Sequence, residues 1–314
     1  MKYRKLGKTD MEVSNLSFGA SSLGSVFRET DDAEGIRTVH AALDLGINFI
    51  DVSPYYGAAK AETVLGRAIG QTSRDRFYLS TKAGRYGADT FDFSGARIAA
   101  SLEESLRRLQ TEYVDILFLH DIEFIQPEII VEEALPALER LKQQGKIRYS
   151  GICGLPLALF EQLLPVIEVD AIISYCHYAL NDTSLLSLLP LLEARGIGLV
   201  NASPLSMGLL STRGTPDWHP ASEALKKACL EAARFVESQG QDMAKLAIQF
   251  STRDERIPTT LVSTANPENI IRNIEWSEEH LDMALLNEVL GRLAAVQNQT
   301  WISGLPRYNE NIRV

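Results

Sequence analysis

Three ionisable side chains stand where apolar runs end: Asp51 closes Asn-Phe-Ile-Asp, Lys82 closes Tyr-Leu-Ser-Thr-Lys, and His120 closes Ile-Leu-Phe-Leu-His. Tyr56 lies a few residues beyond Asp51, in Asp-Val-Ser-Pro-Tyr-Tyr-Gly. A phenol ionises near pH ~10 and is a poor base alone, but an ammonium beside it favours phenolate, so Lys82 is expected to bring Tyr56 toward the working range. Asp51 can hold Lys82 protonated and oriented, and His120 can hydrogen-bond a substrate oxygen and help place the reacting carbon. Taken singly, each residue has a plainer reading: Asp51 capping a loop, Lys82 in solvent, His120 a satisfied, half-buried histidine. Their positions at three consecutive strand ends favour a proton-transfer cluster.

That argument needs the three runs to be neighbouring parallel strands. Short apolar runs alternate with longer amphipathic stretches, the pattern of strands joined by crossover helices. Strands are expected over 14–19, 48–52, 77–83, 114–120, 147–153, 171–175, 198–202 and 260–263, each followed by a helical pattern. Eight such units close into a (β/α)8 TIM barrel, an α/β fold whose active sites lie at the C-terminal strand ends. Helices over 61–69 and 94–109 present Val64, Leu65 and Ala68, and Ile98, Leu102, Leu106 and Leu109, to the barrel wall. Gly46, Gly145 and Gly196 precede the second, fifth and seventh strands as helix terminators. A further helix over 281–296 and an aperiodic tail over 297–314 are expected outside the barrel. No Pro-, Gly- or Ser-rich linker and no repeat beyond the βα alternation interrupts the chain, so residues 1–314 read as a single domain.

Composition narrows the function classes. With 45% hydrophobic and 23% charged residues, a large buried core is possible and disorder is not indicated. The net charge of −10 is scattered and no Lys/Arg cluster appears, which argues against nucleic-acid partners. Cys153, Cys176 and Cys229 are an odd set without C-x-x-C spacing, so neither a disulfide framework nor structural zinc is expected, and a reducing cytoplasm is the natural location. The polar start and the absence of any run near ~20 apolar residues predict neither a signal peptide nor a membrane span. Neither Cys176-His177 nor the His120, Asp121 and Glu123 group shows a metal-ligand spacing, and no metal is expected. No G-x-G-x-x-G follows a strand, because Gly19-Ala-Ser-Ser-Leu-Gly24 has neither that spacing nor a Lys-Ser/Thr after it, so neither a Rossmann nor a P-loop site is read.

The chain resembles the aldo-keto reductases along nearly its whole length. The residues that carry this are Leu6-Gly7-Lys8-Thr9, the segment 46–57, Ser80-Thr81-Lys82, 113–120 and 145–151. Carried over residue by residue, the family's catalytic tetrad falls on Asp51, Tyr56, Lys82 and His120, the residues the strand-end argument selects. The loop segments 18–27, 119–124, 174–178, 217–222 and 300–304 are most similar to members that oxidise L-galactose. This implies oxidation of a sugar at its anomeric carbon: Tyr56 takes the hydroxyl proton, hydride leaves C1 for a nicotinamide, and an aldonolactone results.

The resemblance also assigns the cofactor. The loop after the seventh strand, with Ser203, Leu205 and Gly208, and the segment after the eighth, with Ser263, Asn269 and Asn273, would hold the pyrophosphate and adenosine. NADP-dependent relatives place basic side chains in the latter segment, where this chain has Ser263 and Asn269, so NAD is expected. Arg272 leaves NADP or dual use open. Relatives read the carboxamide with Ser-Asn after the fifth strand, where this chain has Cys153-Gly154, so that contact must be rearranged. Tyr175 or Tyr178, with Tyr178 preferred, would stack on the nicotinamide. Glu123, Trp218 and His219 on strand-end loops are candidate sugar contacts, with surface-loop packing the equal alternative.

Three other readings stay open at this point. The same chemistry on L-fucose or a broader set of aldoses would need only a different distal pocket. A Schiff-base aldolase would use Lys82 as the nucleophile. A cofactor-binding regulatory subunit, of a kind this family contains, would keep the barrel without turnover. Oligomeric state is not legible.

Overall fold

A computed structural model describes residues 1–26 and 28–310. Phe27, the last residue of the 18–27 loop, and the end of the expected tail lie outside the described residues. The eight expected strands form, each within two residues of its expected bounds: β3 (Leu16–Gly19), β4 (Phe49–Asp51), β5 (Tyr78–Ala83), β6 (Val114–Leu119), β7 (Ile147–Gly154), β8 (Ala171–Tyr175), β9 (Gly198–Ala202) and β10 (Thr259–Val262). All pair in parallel, and β10 closes the ring by pairing with both β9 and β3. Strands covered on both faces must be apolar on both, which is why they read as apolar runs rather than alternating patterns.

Helices α1 (Asp32–Asp44), α2 (Lys60–Ile69), α3 (Gly95–Leu109), α4 (Pro127–Ile129), α5 (Leu135–Gln143), α6 (Leu157–Leu163), α7 (Leu189–Arg195), α8 (Glu223–Ser238), α9 (Met243–Arg253), α10 (Pro267–Glu278) and α11 (Met283–Leu293) follow in turn. Side-chain caps start several of them: Asp31 accepts from the Glu34 N–H, Ser94 from Arg97 and Asn266 from Asn269. The faces expected on α2 and α3 are buried against the barrel. Between α4 and α5 a π-helical turn spans Ile130–Ala134. Pro136 has no N–H to give the Glu132 carbonyl one α-turn back, so the ladder must widen there.

One element was not expected. β1 (Tyr3–Lys5) and β2 (Glu12–Ser14) form an antiparallel hairpin beneath the barrel. Its Leu6, Met11 and Val13 are buried with Phe49, Ile116, Phe118, Ile173, Val200 and Leu261 in the barrel interior, a core separate from the layer between strands and helices. The turn fits because it meets glycine: Gly7 has φ +56° and a Cβ there would lie 2.4 Å from the Gly198 nitrogen. Lys8 N–H donates to the Gly196 carbonyl at 2.7 Å. Strands of three residues are too short to show a period, which is why the sequence did not reveal them.

At the other end, the tail packs across the barrel mouth. Asn298 N–H donates to the Asn181 carbonyl at 3.0 Å and Leu305 N–H to the Glu123 carbonyl at 2.8 Å, while Trp301 and Tyr308 are buried. Among the described residues, no helix is long and apolar enough to cross a membrane.

Leu6 packs wholly inside the hairpin plug, away from the strand ends that carry the polar cluster. Leu6→Ala should therefore cost about 2–5 kcal/mol of unfolding free energy, read from denaturant titration. Any activity measured at 25 °C should be retained; a loss of activity without a loss of stability would mean the plug shapes the mouth directly.

Candidate active site

Parallel register sets the positions of the cluster. Asp51 is the last residue of β4 and pairs with Ser80, while Lys82 on β5 pairs with Phe118, one of the residues that fill the barrel interior. Lys82 therefore points inward, where it donates to the Asp51 carboxylate, to the Val52 carbonyl at 3.0 Å and to the Tyr56 hydroxyl at 3.2 Å. Ser80 donates to the other Asp51 oxygen at 2.8 Å. Lys82 is only 2% exposed; burial is the largest single influence and pulls its pKa down, but Asp51, Tyr56 and Cys153 together outweigh it and hold the ammonium above its ordinary pKa.

Tyr56 is placed by two crossing backbones. Gly57 has φ +64°, and a Cβ on it would lie 2.0 Å from the Gly24 carbonyl oxygen; a Cβ on Gly24 would lie 2.6 Å from that of Tyr56. Only glycine at both points lets the loop after β4 fold against the loop after β3. Burial pushes the phenol above its ordinary value, and the pull of Lys82 only partly offsets it. The expected direction of the lysine's influence is present, but desolvation is the larger effect, so the sum corrects the expectation of a lowered pKa.

His120 follows β6, with Nδ1 2.9 Å from Ser53 Oγ and its ring edge-on to Tyr56 at 5.7 Å between centroids. Burial, reinforced by Lys82 and Arg85 and opposed by Asp121, pushes its pKa down to about 3. The ring is neutral. Ser53 Oγ accepts from Tyr55 N–H at 3.1 Å, so its own hydrogen can go to Nδ1. The tautomer that completes this network carries its hydrogen on Nε2.

Beside the four lies a polar wall: the sequence argument named Asp121, Cys153 and Tyr175 in other roles, and missed Arg85 and Tyr55. Asp121, left-handed at φ 53°, pairs with Arg85, whose guanidinium also donates to Tyr55 Oη at 3.2 Å and lies 4.2 Å from the Tyr55 ring centroid. Tyr175 Oη and Cys153 Sγ lie 3.4 and 3.8 Å from Asp121 Oδ1. Asp121 follows His120 directly and Arg85 lies three residues past Lys82, so adjacency to strand-end residues was the available signal. His120, Asp121 and Cys153 bring possible ligand atoms within 4.8 Å of one another. Arg85 already neutralises Asp121, and burial, then Asp121, keeps the Cys153 thiol well above its ordinary pKa, so the set is built for hydrogen bonding rather than for a cation.

Other expected contacts fall differently. Tyr178 is not at the mouth. The chain turns left-handed at Cys176 (φ 66°), and Tyr178 stacks on Phe250 of α9 at 5.2 Å, within electrostatic reach of Asp254 and Arg4 near the strand beginnings. Tyr175 is the aromatic residue at the strand end. Glu123 is fully buried beneath the mouth rather than lining it. His219 is buried, with Nδ1 accepting from Ala221 N–H at 3.2 Å and Nε2 3.1 Å from the Ser206 carbonyl, so both ring nitrogens serve the loop. Trp218 is 55% exposed on that loop and stacks on His219.

Ser203, Leu205 and Gly208 lie in the loop after β9, where Ser203, Ser206, Met207 and Gly208 all have positive φ, a backbone of the kind that makes anion-binding concavities. Ser263 accepts from Ser22 N–H at 2.9 Å, Asn269 stands in the first turn of α10 and Asn273 one turn on. Arg272 leans along the helix over Trp276, 5.8 Å from its ring centroid.

His120 should show no protonation of its ring nitrogens between pH 8 and 5 in 15N spectra; a midpoint near its ordinary pKa would overturn the burial argument. The sign for stability follows. The unfolded chain binds a proton on this residue near pH ~6.5 and the folded protein does not, so stability should fall below that pH, by at most about 1.4 kcal/mol per unit, until the folded pKa is reached.

The chain matches the Aldo/keto reductase family over residues 15–290. It is 45% identical to L-galactose dehydrogenase of Arabidopsis thaliana, over 97% of this chain and 98% of that protein. It is 36% identical to D-arabinose 1-dehydrogenase of Saccharomyces cerevisiae, over 76% and 75% of the two. Among solved structures, the holo form of an aldo-keto reductase from Bacillus halodurans aligns with a TM-score of 0.78 at 27% identity, covering 99% of this chain and 100% of that one. With the closed barrel and a family match across most of its length, the chain belongs to the aldo/keto reductase family of oxidoreductases.

Proposed function

We propose that this protein oxidises an aldose at its anomeric carbon, with L-galactose as the preferred sugar and NAD as the hydride acceptor. The observation that carries the reading is the buried array in which Asp51 holds Lys82, Lys82 donates to Tyr56, and neutral His120 stands edge-on to Tyr56. The similarity to the Arabidopsis enzyme supports the choice of sugar.

For oxidation the Tyr56 phenol must first release its own proton to solvent; the Lys82 ammonium stabilises the resulting phenolate, whose Oη then accepts the C1 hydroxyl proton. His120 Nε2–H donates to the same substrate oxygen and fixes C1 in place. Asp51 keeps Lys82 charged throughout. A bound nicotinamide supplies the hydride-accepting carbon, which no side chain here can provide. Lys82, held as an ammonium by Asp51, has no lone pair for an imine, which disfavours the aldolase reading.

The residues present fit a dinucleotide. The left-handed run after β9 and the N-terminus of α10 suit phosphates. Ser203, Leu205, Gly208, Ser263, Asn269 and Asn273 would hold it, and Tyr175, in place of Tyr178, offers a ring to the nicotinamide. Ser263 and Asn269 carry no charge for a 2′-phosphate and Arg272 lies on Trp276, which favours NAD. Trp218 offers its exposed indole to the sugar's C–H face. The same mechanism on D-arabinose or L-fucose is the second reading, favoured by the similarity to the yeast enzyme.

Reduced-cofactor absorbance with L-galactose, L-fucose, D-galactose and D-arabinose, each with NAD and NADP, tests reaction, sugar and cofactor together. The highest kcat/KM is expected for L-galactose with NAD; no turnover with any sugar would sink the proposal. Tyr56→Phe should keep cofactor binding and lower kcat by about 10²–10⁴-fold, the usual worth of a positioned acid–base group.

A further inference from the structure

Glu123 lies in the short turn Ile122–Phe124 after β6, fully buried. Its Oε1 accepts from Ser303 Oγ at 2.9 Å and from Leu155 N–H at 3.3 Å, and Tyr175 Oη lies 3.5 Å away. Its backbone carbonyl takes the Leu305 N–H at 2.8 Å. One carboxyl group thus joins the β6 loop, the end of β7, the aromatic residue closing β8 and the C-terminal segment 301–305. Two glycines make room for it: a Cβ on Gly154 would lie 2.9 Å from Oε2, and one on Gly304, at φ +69°, would lie 2.2 Å from the Glu123 carbonyl oxygen.

Oε2 is buried and has no hydrogen-bond partner among the described residues. Among the described residues, the titratable groups facing the carboxyl are Asp121 from the same loop, Cys153 from β7, Tyr175 from β8 and Tyr308 from the C-terminal segment; none of these is a cation. Arg85, the nearby cation of the wall, is paired with Asp121. An unpaired buried carboxylate beside a second one is costly, whereas a carboxylic acid keeps Oε1 as the acceptor and carries its proton on the other oxygen. Burial, then Asp121, pushes the group up to about 8.

We propose that Glu123 works as an uncharged acid that locks the 301–305 segment and the Tyr175 hydroxyl across the mouth, making it a positioning residue for substrate binding. The lock extends further along the same segment: Trp301 meets the His219 ring edge-on at 4.9 Å, and His219 holds the Ser206 carbonyl in the loop after β9. When Glu123 ionises, Ser303 and Leu155 still donate to Oε1, but a charged Oε2 without a donor now lies buried beside Asp121, and the segment loosens to let water reach it. The effect falls on KM rather than kcat, because Glu123 touches none of Asp51, Tyr56, Lys82 or His120.

The proposal rests on the mouth being the sugar site, so its test has a readout that needs no turnover. Backbone amide exchange of residues 298–310 is measured from pH 6 to 10 in the full-length protein and in Glu123→Gln, alongside kcat and KM for L-galactose with NAD. In the unmodified protein, exchange at Leu305 should accelerate above pH 8 beyond the intrinsic base-catalysed rise. KM should climb about tenfold by one unit above the titration point, where about a tenth of molecules remain locked. Glu123→Gln, uncharged throughout, should lose both limbs, and Glu123→Ala should exchange fast at every pH. Unmodified protein following only the intrinsic trend, or Glu123→Gln retaining the high-pH limb, would overturn the proposal. An exchange limb present without sugar turnover would leave the lock standing and remove the proposed function instead.

Discussion

A lysine ammonium almost out of reach of water must be neutralised where it stands, and the rest of this structure is arranged around that requirement. Lys82 and Asp51 are 2% and 3% exposed, and they face each other because β4 and β5 are adjacent and in register. Removing one partner of such a pair costs about 3–5 kcal/mol, since the other is left buried and uncompensated. The three protons of Lys82 go to Asp51, the Val52 carbonyl and Tyr56, and each Asp51 oxygen accepts one hydrogen bond, from Lys82 and from Ser80.

The mouth follows a simple rule. Paired cations stay charged: Lys82 with Asp51, although burial pushes the Asp51 carboxyl above its ordinary value against the pull of Lys82, and Arg85 with Asp121. Groups whose neighbouring charges do not outweigh desolvation are driven toward their neutral forms: Tyr56, His120, Cys153 and Glu123. A single environment thereby yields a protonated phenol and an uncharged imidazole within one ring-width of an ammonium. Proton transfer needs that separation of states between groups close enough to touch.

Much of this was legible from sequence because the signals were one-dimensional. Asp51, Lys82 and His120 each end an apolar run, and parallel strand order converts equal positions along three runs into proximity in space. What stayed hidden depended on relations that no local pattern encodes. Tyr178 and Tyr175 differ by three positions and are equally aromatic; only the left-handed turn at Cys176 decides which stays at the mouth. Glu123 resembled a surface-loop contact until the C-terminal segment was seen to cover it. His219 offered two ring nitrogens that the backbone had already taken. The direction of Lys82's influence on Tyr56 could be written down from charge alone, but its defeat by desolvation required knowing the depth of the site.

The hairpin beneath the strands has a consequence for traffic. With Leu6, Met11 and Val13 sealing the lower end, the barrel is a blind tube, and anything that enters must leave by the same opening. Two ligands meeting at its floor would have to queue: the one whose reacting ring lies deeper goes in first and comes out last. An ordered sequence of arrivals and departures would then be a property of the filled floor, where the three stopper side chains and the strand residues packed on them, Phe49 and Phe118 among them, leave no second exit.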